Sequence, residues 1–362
     1  MSFLFLVLLY FLIFFTFLLF IFQLFLNIPK RQKKKDYSNF MGKVLVMVPC
    51  KNMDFTLREN LISIKNQDYD NYDLVAIIDS KTDPAFGVIE ELRIKYILTD
   101  YECEGCSGKV RALSTAMTRF TNYSIFVIAD SDILVKKDWL SRLVNPFTMP
   151  DIGLTTTFPY FRAMDGFWSK VKTLWGFVGQ GMMESDLTRF GWGGSLAFRK
   201  ELINGQTMKY FSSRVSDDTA LSKICKDSGY RIEYVSEAQP IINSPDDFKT
   251  FHEWSVRQTA LSIASDQRIL YLGIGVYFSQ IFVFIMAFLL IPIMGLYSLV
   301  LLLPTLLGEI KMNGRIRERN FIYYFIFLFL PFLYLYNLIS ASRKEEISWR
   351  GNNYKLIRDK SE

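Results

Sequence analysis

The chain has 362 residues, half of them hydrophobic, with 42 Lys and Arg against 36 Asp and Glu for a net charge of +6. One histidine, His252, and four cysteines, of which Cys103 and Cys106 form a lone CxxC, argue against a Ser-His-Asp or Cys-His enzyme and against a four-ligand zinc site. Much of the basic charge lies beside apolar runs, a pattern of anchoring at an anionic membrane surface rather than of nucleic-acid binding.

Taken in order, Phe3 to Leu26 carries no charge. It is long enough to span a bilayer, which needs about 20 residues, and longer than the apolar core of a signal peptide, about 7–15. Lys30, Arg31, Lys33, Lys34 and Lys35 follow. Positive charge marks the cytoplasmic flank of a span, so the N-terminus is expected outside and residues from about 30 onward in the cytosol. After a polar link at 36–42, Lys43 to Val48 reads as a strand stopped by Pro49. Residues 54–67 have helical spacing, with Asp54 as a candidate N-cap. Leu74 to Ile78 reads as a second strand ending at Asp79, followed by helical patterns at 84–95 and 108–120 and a short strand at 96–98. Strands alternating with helices predict βαβ units and a parallel sheet.

The run Ser124 to Ala129 is unbroken and apolar, the pattern of a strand buried on both faces, and it delivers Asp130 and Asp132 at its carboxyl end. Ligands bind at that end of open α/β sheets. Side chains at i and i+2 of an extended chain point the same way, and two hard oxygen donors suit Mg²⁺ or Mn²⁺ carrying a diphosphate. The bland alternative is a strand end whose aspartates make turns or cap a helix.

Further on, 139–147 reads as a helix and 152–158 as a strand. The aromatic stretch 161–183 serves either as core or as an amphipathic piece at the bilayer surface, with Lys170 and Lys172 toward headgroups. Trp192, Gly193, Gly194 and Ser195 precede a strand-like run, and the glycines allow close backbone approach to a ligand or make a tight turn. Asp217 and Asp218 open a helix, which they would also cap. Residues 251–270 read as one amphipathic helix carrying Trp254, Arg257 and Gln258. Residues 269–308 are uncharged and fit two spans with a turn near Pro292–Gly295. A basic loop (Lys311, Arg315, Arg317, Arg319) precedes one more apolar run at 320–341. Three C-terminal spans put the tail outside; a tail that helps form the site would require one run to be re-entrant or interfacial.

The order of Pro49-Cys50-Lys51-Asn52, Asp79, Gly108-Lys109, Asp130-Ser131-Asp132, the glycine turn, Asp217-Asp218 and Arg257-Gln258 resembles the glycosyltransferase A (GT-A) fold of family 2 enzymes. The closest resemblance is to the ceramide glucosyltransferase-like members, which share the N-terminal span and the C-terminal membrane segments. It covers roughly residues 40–270 and a tail with Trp349-Arg350-Gly351 and Tyr354. The resemblance implies that Asp130 and Asp132 hold Mg²⁺ or Mn²⁺, that Pro49, Lys51, Asp79, Lys109 and Asp130 bind a nucleotide-sugar donor, and that Asp218 is the base, with Asp217 where Glu is common. It also implies that Trp192, Gly193, Gly194 and Ser195 border the acceptor. Arg257 resembles the arginine of the family's QxxRW motif, although here Trp254 precedes it and Gln258 follows it.

The expected architecture is an α/β, Rossmann-like GT-A domain at 40–248, with a transmembrane helix at 1–28, an interface helix at 249–270, a membrane region at 271–341 and a polar tail at 342–362. The expected activity is inverting transfer of a hexose from a UDP-sugar to a membrane lipid at the plasma membrane of a prokaryote, with no nucleic-acid partner. A polysaccharide synthase and a silent scaffold are the alternatives.

Overall fold

The computed structural model describes residues 3–27 and 35–356 and divides into two folded units, one holding residues 34–247 and 345–357, the other residues 1–33 and 248–344. The basic residues Lys30, Arg31, Lys33 and Lys34 and the tail beyond 356 lie outside the described residues.

The first unit is built on strands β1 (Val44–Pro49), β2 (Tyr72–Ile78), β3 (Lys95–Leu98), β4 (Ile125–Ala129), β5 (Ile133–Leu134), β6 (Ile152–Thr156), β7 (Tyr160–Ala163), β8 (Ser195–Arg199), β9 (Arg231–Tyr234) and β10 (Ile241–Ser244). Seven of them form one sheet in the order β3-β2-β1-β4-β8-β6-β9. The β3-β2-β1-β4 half is parallel, β8 runs antiparallel to β4 and β6, and β9 is parallel to β6. Strands β5, β10 and β7 form a small second sheet. The predicted parallel sheet is thus a mixed one, because the glycine turn before β8 sends the chain back along β4.

Every residue of β4 is buried, as its unbroken apolar run requires. Met47, Ile77, Phe126, Ile128, Leu196 and Phe198 pack against Val110, Leu113 and Met117 of a helix over Gly108–Arg119. That helix is α4, after α1 (Phe3–Asn27), α2 (Leu57–Lys65) and α3 (Ala85–Glu91); α5 (Trp139–Val144), α6 (Phe167–Met183), α7 (Gly205–Phe211) and α8 (Asp217–Asp227) complete the helices of the first unit. Ser107 caps α4 by accepting from the Val110 amide at 3.2 Å. Asp54 does not cap α2 with its side chain, as the helical pattern suggested; it is used elsewhere.

The stretch 161–183 is β7 followed by α6, and Lys172 does not face headgroups. It is buried, and its Nζ pairs with the buried Asp246 carboxylate at 3.0 Å. Gly176 and Gly179 of α6 lie against the rings of Phe161 and Phe158 so closely that a Cβ would come within 2.6 Å and 2.1 Å of them. Phe161, Val171, Leu174 and Met183 of this stretch are buried, while Trp168, Trp175 and Phe177 are half-buried and Phe167 is exposed.

The second unit holds α1 with α9 (Phe248–Ser265), α10 (Arg268–Leu289), α11 (Ile291–Met294), α12 (Leu303–Asn313) and α13 (Ile322–Ser342). The helix predicted over 251–270 breaks at Asp266, whose carboxylate accepts the Arg268 amide at 2.9 Å and so starts α10. Four helical segments among the described residues, 6–27, 268–289, 291–313 and 322–342, are long and apolar enough to cross a membrane. Within this unit Gln23 of α1 donates to the Val276 carbonyl (3.0 Å) and to the Ser279 hydroxyl of α10, a polar tie of the kind that joins helices in lipid. Phe11, Tyr271, Leu272, Phe325 and Phe329 are exposed, which water would penalise and acyl chains would not. The segment 291–313 is not one helix: four residues of α11 end at Gly295 (φ +60°), a 3₁₀ stretch runs to Leu302, and Pro304 opens α12.

The tail 345–356 is no loose appendage. It forms an antiparallel hairpin, β11 (Glu346–Trp349) with β12 (Asn352–Lys355), that belongs to the first unit.

Lys172→Met strands the buried Asp246 carboxylate, and it is expected to cost about 3–5 kcal/mol, read as a lower melting temperature of the solubilised protein. Replacing both members, Lys172→Met with Asp246→Leu, is expected to recover most of that loss.

Candidate active site

The carboxyl ends of β1, β2 and β4 converge as the parallel pairing dictates. Pro49 ends β1 and leads to Lys51, whose ammonium lies 3.3 Å from Asp79 at the end of β2. Arg111 of α4 reaches the other Asp79 oxygen at 3.1 Å. Burial works to raise the Asp79 pKa, but Arg111 and Lys51 outweigh it and hold the carboxylate below its ordinary range.

Lys109, the second residue of α4, is the hub. Its Nζ sits 2.7 Å from Asp130 Oδ1 and 3.2 Å from Asp217 Oδ2, and donates to the Gly193 carbonyl at 3.1 Å. Burial alone would lower its pKa; the charges of Asp130 and Asp217 reverse this and keep it protonated. Asp217 is raised to about 6, by burial first and by the like charges of Asp218 and Asp130, with Lys109 opposing. Asp132 is raised to about 7, chiefly by burial and then by Asp130 and Asp54, with Arg350 and Lys172 opposing. Its Oδ1 is buried and has no hydrogen-bond partner.

The glycine turn locks these groups together. The Asp130 amide donates to the Gly194 carbonyl at 3.0 Å, and the Gly193 amide donates to Asp218 Oδ2 at 3.3 Å. Asp218 Oδ1 accepts from the Thr219 amide at 2.8 Å and from Ser216 Oγ, in the first turn of α8. A Cβ on Gly194 would come within 2.2 Å of the Trp192 ring, which makes that position a true close approach. Trp192 is half-buried, its amide donating to Thr156 Oγ1 at 2.8 Å.

Lys51, Asp79, Lys109, Asp130, Asp132, Gly193, Asp217 and Asp218 therefore gather at one end of the sheet. Ser195 does not border a pocket: it is wholly buried, and its Oγ accepts from Trp139 Nε1 at 2.9 Å. Arg257 and Gln258 lie on α9, in the other unit. Two residues that the sequence reading gave no place here belong to the cluster. Asp54 accepts from Ser131 Oγ and from Arg350 Nη2, the latter at 2.8 Å, and Arg350 also donates to the Lys51 carbonyl. Cys103 and Cys106 are joined as a disulfide in the loop that precedes α4.

The model of glycosyl transferase family 21 matches residues 9–362, nearly the whole chain. The chain belongs to that family. It is a glycosyltransferase with the GT-A fold. Ceramide glucosyltransferase 3 of Caenorhabditis elegans is 28% identical over 142 residues, which cover 37% of this chain but only 30% of that protein. A solved mannosyltransferase, PcManGT from Pyrobaculum calidifontis in complex with GDP-Man and Mn²⁺, superposes with a TM-score of 0.56 at 18% identity, covering 91% of this chain and 95% of its own. That likeness is one of fold.

A Cβ at Gly193 would stand 2.6 Å from Asp217 Oδ2 and 3.1 Å from Lys109 Nζ. Gly193→Ala is thus expected to push the hub apart and slow sugar transfer about 100-fold, with the melting temperature little changed.

Proposed function

We propose that this glycosyltransferase moves a hexose, with inversion, from a nucleotide-diphosphate sugar to the hydroxyl of a membrane lipid. The observation that carries the reading is the ammonium of Lys109 set between Asp130 and Asp217, with Asp218 held beside it on the Gly193 amide. The two phosphates of a donor need cations at one end, and the acceptor needs a carboxylate base at the other; this cluster offers both.

The unpartnered, buried Oδ1 of Asp132 fits a cation-binding role, since such an atom is costly to leave unpaired. Among the described residues no third acidic, His or Cys side chain joins a metal cluster, which suits an ion that keeps waters and phosphate oxygens as its other ligands. Asp130 and Asp132 would hold Mg²⁺ or Mn²⁺, and the bound ion would neutralise charge on the leaving diphosphate. Asp218 takes the proton of the acceptor hydroxyl as the acceptor oxygen bonds to the anomeric carbon. The bond from that carbon to the diphosphate breaks, and the nucleoside diphosphate leaves. Lys109 and Lys51 bind the diphosphate, and Asp79 the nucleoside. Glucose and a lipid acceptor accord with the name of the ceramide glucosyltransferase relative, and a uridine donor follows the family resemblance.

Two measurements test this. Membranes given a panel of UDP- and GDP-sugars are expected to yield a new organic-extractable glycolipid by mass spectrometry; long water-soluble polymer would point to a polysaccharide synthase instead. Asp218→Asn is expected to lower the transfer rate by about 10²–10⁴-fold while nucleotide binding persists, as removal of a general base does.

The topology follows from connectivity. Residues 35–247 and 345–356 fold as one unit, so the apolar block between them begins and ends on the same side of a membrane. It crosses an even number of times, and of its three candidate spans the broken one, 291–313, is the interfacial or re-entrant one. On this reading the tail lies on the catalytic side, the alternative in which one apolar run is re-entrant or interfacial. With the catalytic unit cytosolic, a cysteine at Asn352 is expected to resist an impermeant thiol reagent in intact cells and to react after lysis; labelling in intact cells would reverse the orientation.

A further inference from the structure

The C-terminal hairpin carries Trp349, Arg350, Gly351 and Tyr354, and the reaction above uses none of them. Arg350 and Gly351 form its two-residue connection, with Trp349 opposite Asn352. Both have positive φ, +48° and +81°, as a type I′ turn demands. Gly, Asn or Asp is the ordinary choice at the first of these positions. A long side chain there is held in a strained backbone and calls for a reason in what the side chain does.

That side chain points into the acidic end of the site. Arg350 Nη2 donates to Asp54 Oδ1 at 2.8 Å, and Nη1 donates to the carbonyl of Lys51. The guanidinium is mostly buried, with 30% of its side chain exposed, and its charge opposes the upward shift of Asp132. On β12, Tyr354 Oη accepts the amide of Gly108 at 3.2 Å, at the first residue of α4 and next to Lys109. The hairpin therefore touches both segments that border the donor half of the site: the loop after β1 and the start of α4. Helix starts of this kind bind phosphate oxygens.

We propose that this hairpin is the lid of the donor cradle and that Arg350 at its apex binds the donor, its guanidinium passing from Asp54 to the diphosphate when the nucleotide sugar enters. The inference rests on the donor reading given above. A planar guanidinium re-makes on phosphate the paired hydrogen bonds it now makes to a carboxylate and a carbonyl. Asp54 keeps its bond from Ser131 Oγ when released. No covalent step is involved; one hydrogen-bonded ion pair replaces another.

The test is calorimetric titration of UDP and of GDP, each with Mn²⁺, into the full-length protein in detergent, with uridine and guanosine as controls. Arg350→Ala is expected to weaken the preferred nucleoside diphosphate by roughly 10- to 100-fold while changing nucleoside affinity by less than about twofold, the loss of charge-assisted bonds to phosphate alone. Arg350→Lys, which keeps the charge but not the fork, is expected to fall between wild type and Arg350→Ala. Asp54→Asn, which loosens the latch without touching the guanidinium, is expected to hold or tighten diphosphate binding. Should Arg350→Ala fail to fold, the Arg350→Lys and Asp54→Asn pair decides the matter. Unchanged diphosphate affinity in Arg350→Ala or Arg350→Lys, or equal loss for diphosphate and nucleoside, overturns the inference and leaves Arg350 a structural latch. Wild-type protein that binds neither diphosphate overturns the donor reading itself, and this inference with it.

Discussion

Five carboxylates share one end of this sheet, and two cations hold them there. The charge of Lys109 acts on Asp130, Asp217 and Asp218, and that of Arg350 on Asp54, Asp130 and Asp132. Two unit charges about 4 Å apart at an effective dielectric near 20 interact by about 4 kcal/mol, a large share of the roughly 5–15 kcal/mol by which a domain is stable. Without Lys109 between Asp130 and Asp217, the loop after β4 and the start of α8 would repel each other. With it they become neighbours, and the site exists. Burial first, and neighbouring carboxylates second, raise Asp132 and Asp217 above the ordinary carboxylate range.

The rigid part of the fold makes this crowding sustainable. β4 is buried along its whole length and paired on both sides, by β1 and by β8. The two pairings differ in direction, and this is what brings the glycine turn ahead of β8 to the same sheet end as Asp130. The Asp130 amide bonds the Gly194 carbonyl, so the turn and the strand end are fixed by backbone before any side chain acts. Glycine at 193 and 194 leaves room for Asp217, Lys109 and the Trp192 ring, which no larger residue would do.

Much of this was legible in the sequence, and the reasons are local. An apolar run ending in Asp-Ser-Asp dictates a buried strand and two carboxylates at its mouth. Gly108-Lys109 after a capping serine dictates a helix start with an ammonium beside it. What was not legible depends on contacts distant in sequence. Asp54 looked like a helix cap because its spacing to α2 permits one, yet its partner is Arg350, almost three hundred residues away. Lys172 looked like a membrane-facing charge because its neighbours are aromatic, yet Asp246 neutralises it inside the fold. Ser195 looked like a pocket residue because it follows glycines, yet Trp139 claims its hydroxyl. The side on which the tail lies was open because three apolar runs precede it, and apolar runs give no sign of whether they cross.

The same distance effect bears on the arginine expected from the QxxRW pattern. In that pattern arginine directly precedes tryptophan, whereas in this chain the residue before Trp254 is Glu253. An acid stands at that place, and the arginine lies four residues further on, at Arg257. Arg257 stands one helical turn beyond Glu253 on the same face of α9, an arrangement in which the acid offsets part of its charge. Arg350 has no such neighbour on its own hairpin turn and is already lodged beside the carboxylates that would carry the cation. A hairpin folded back from the far end of the sequence thus brings a guanidinium beside Asp54 without altering the strands that hold the aspartates.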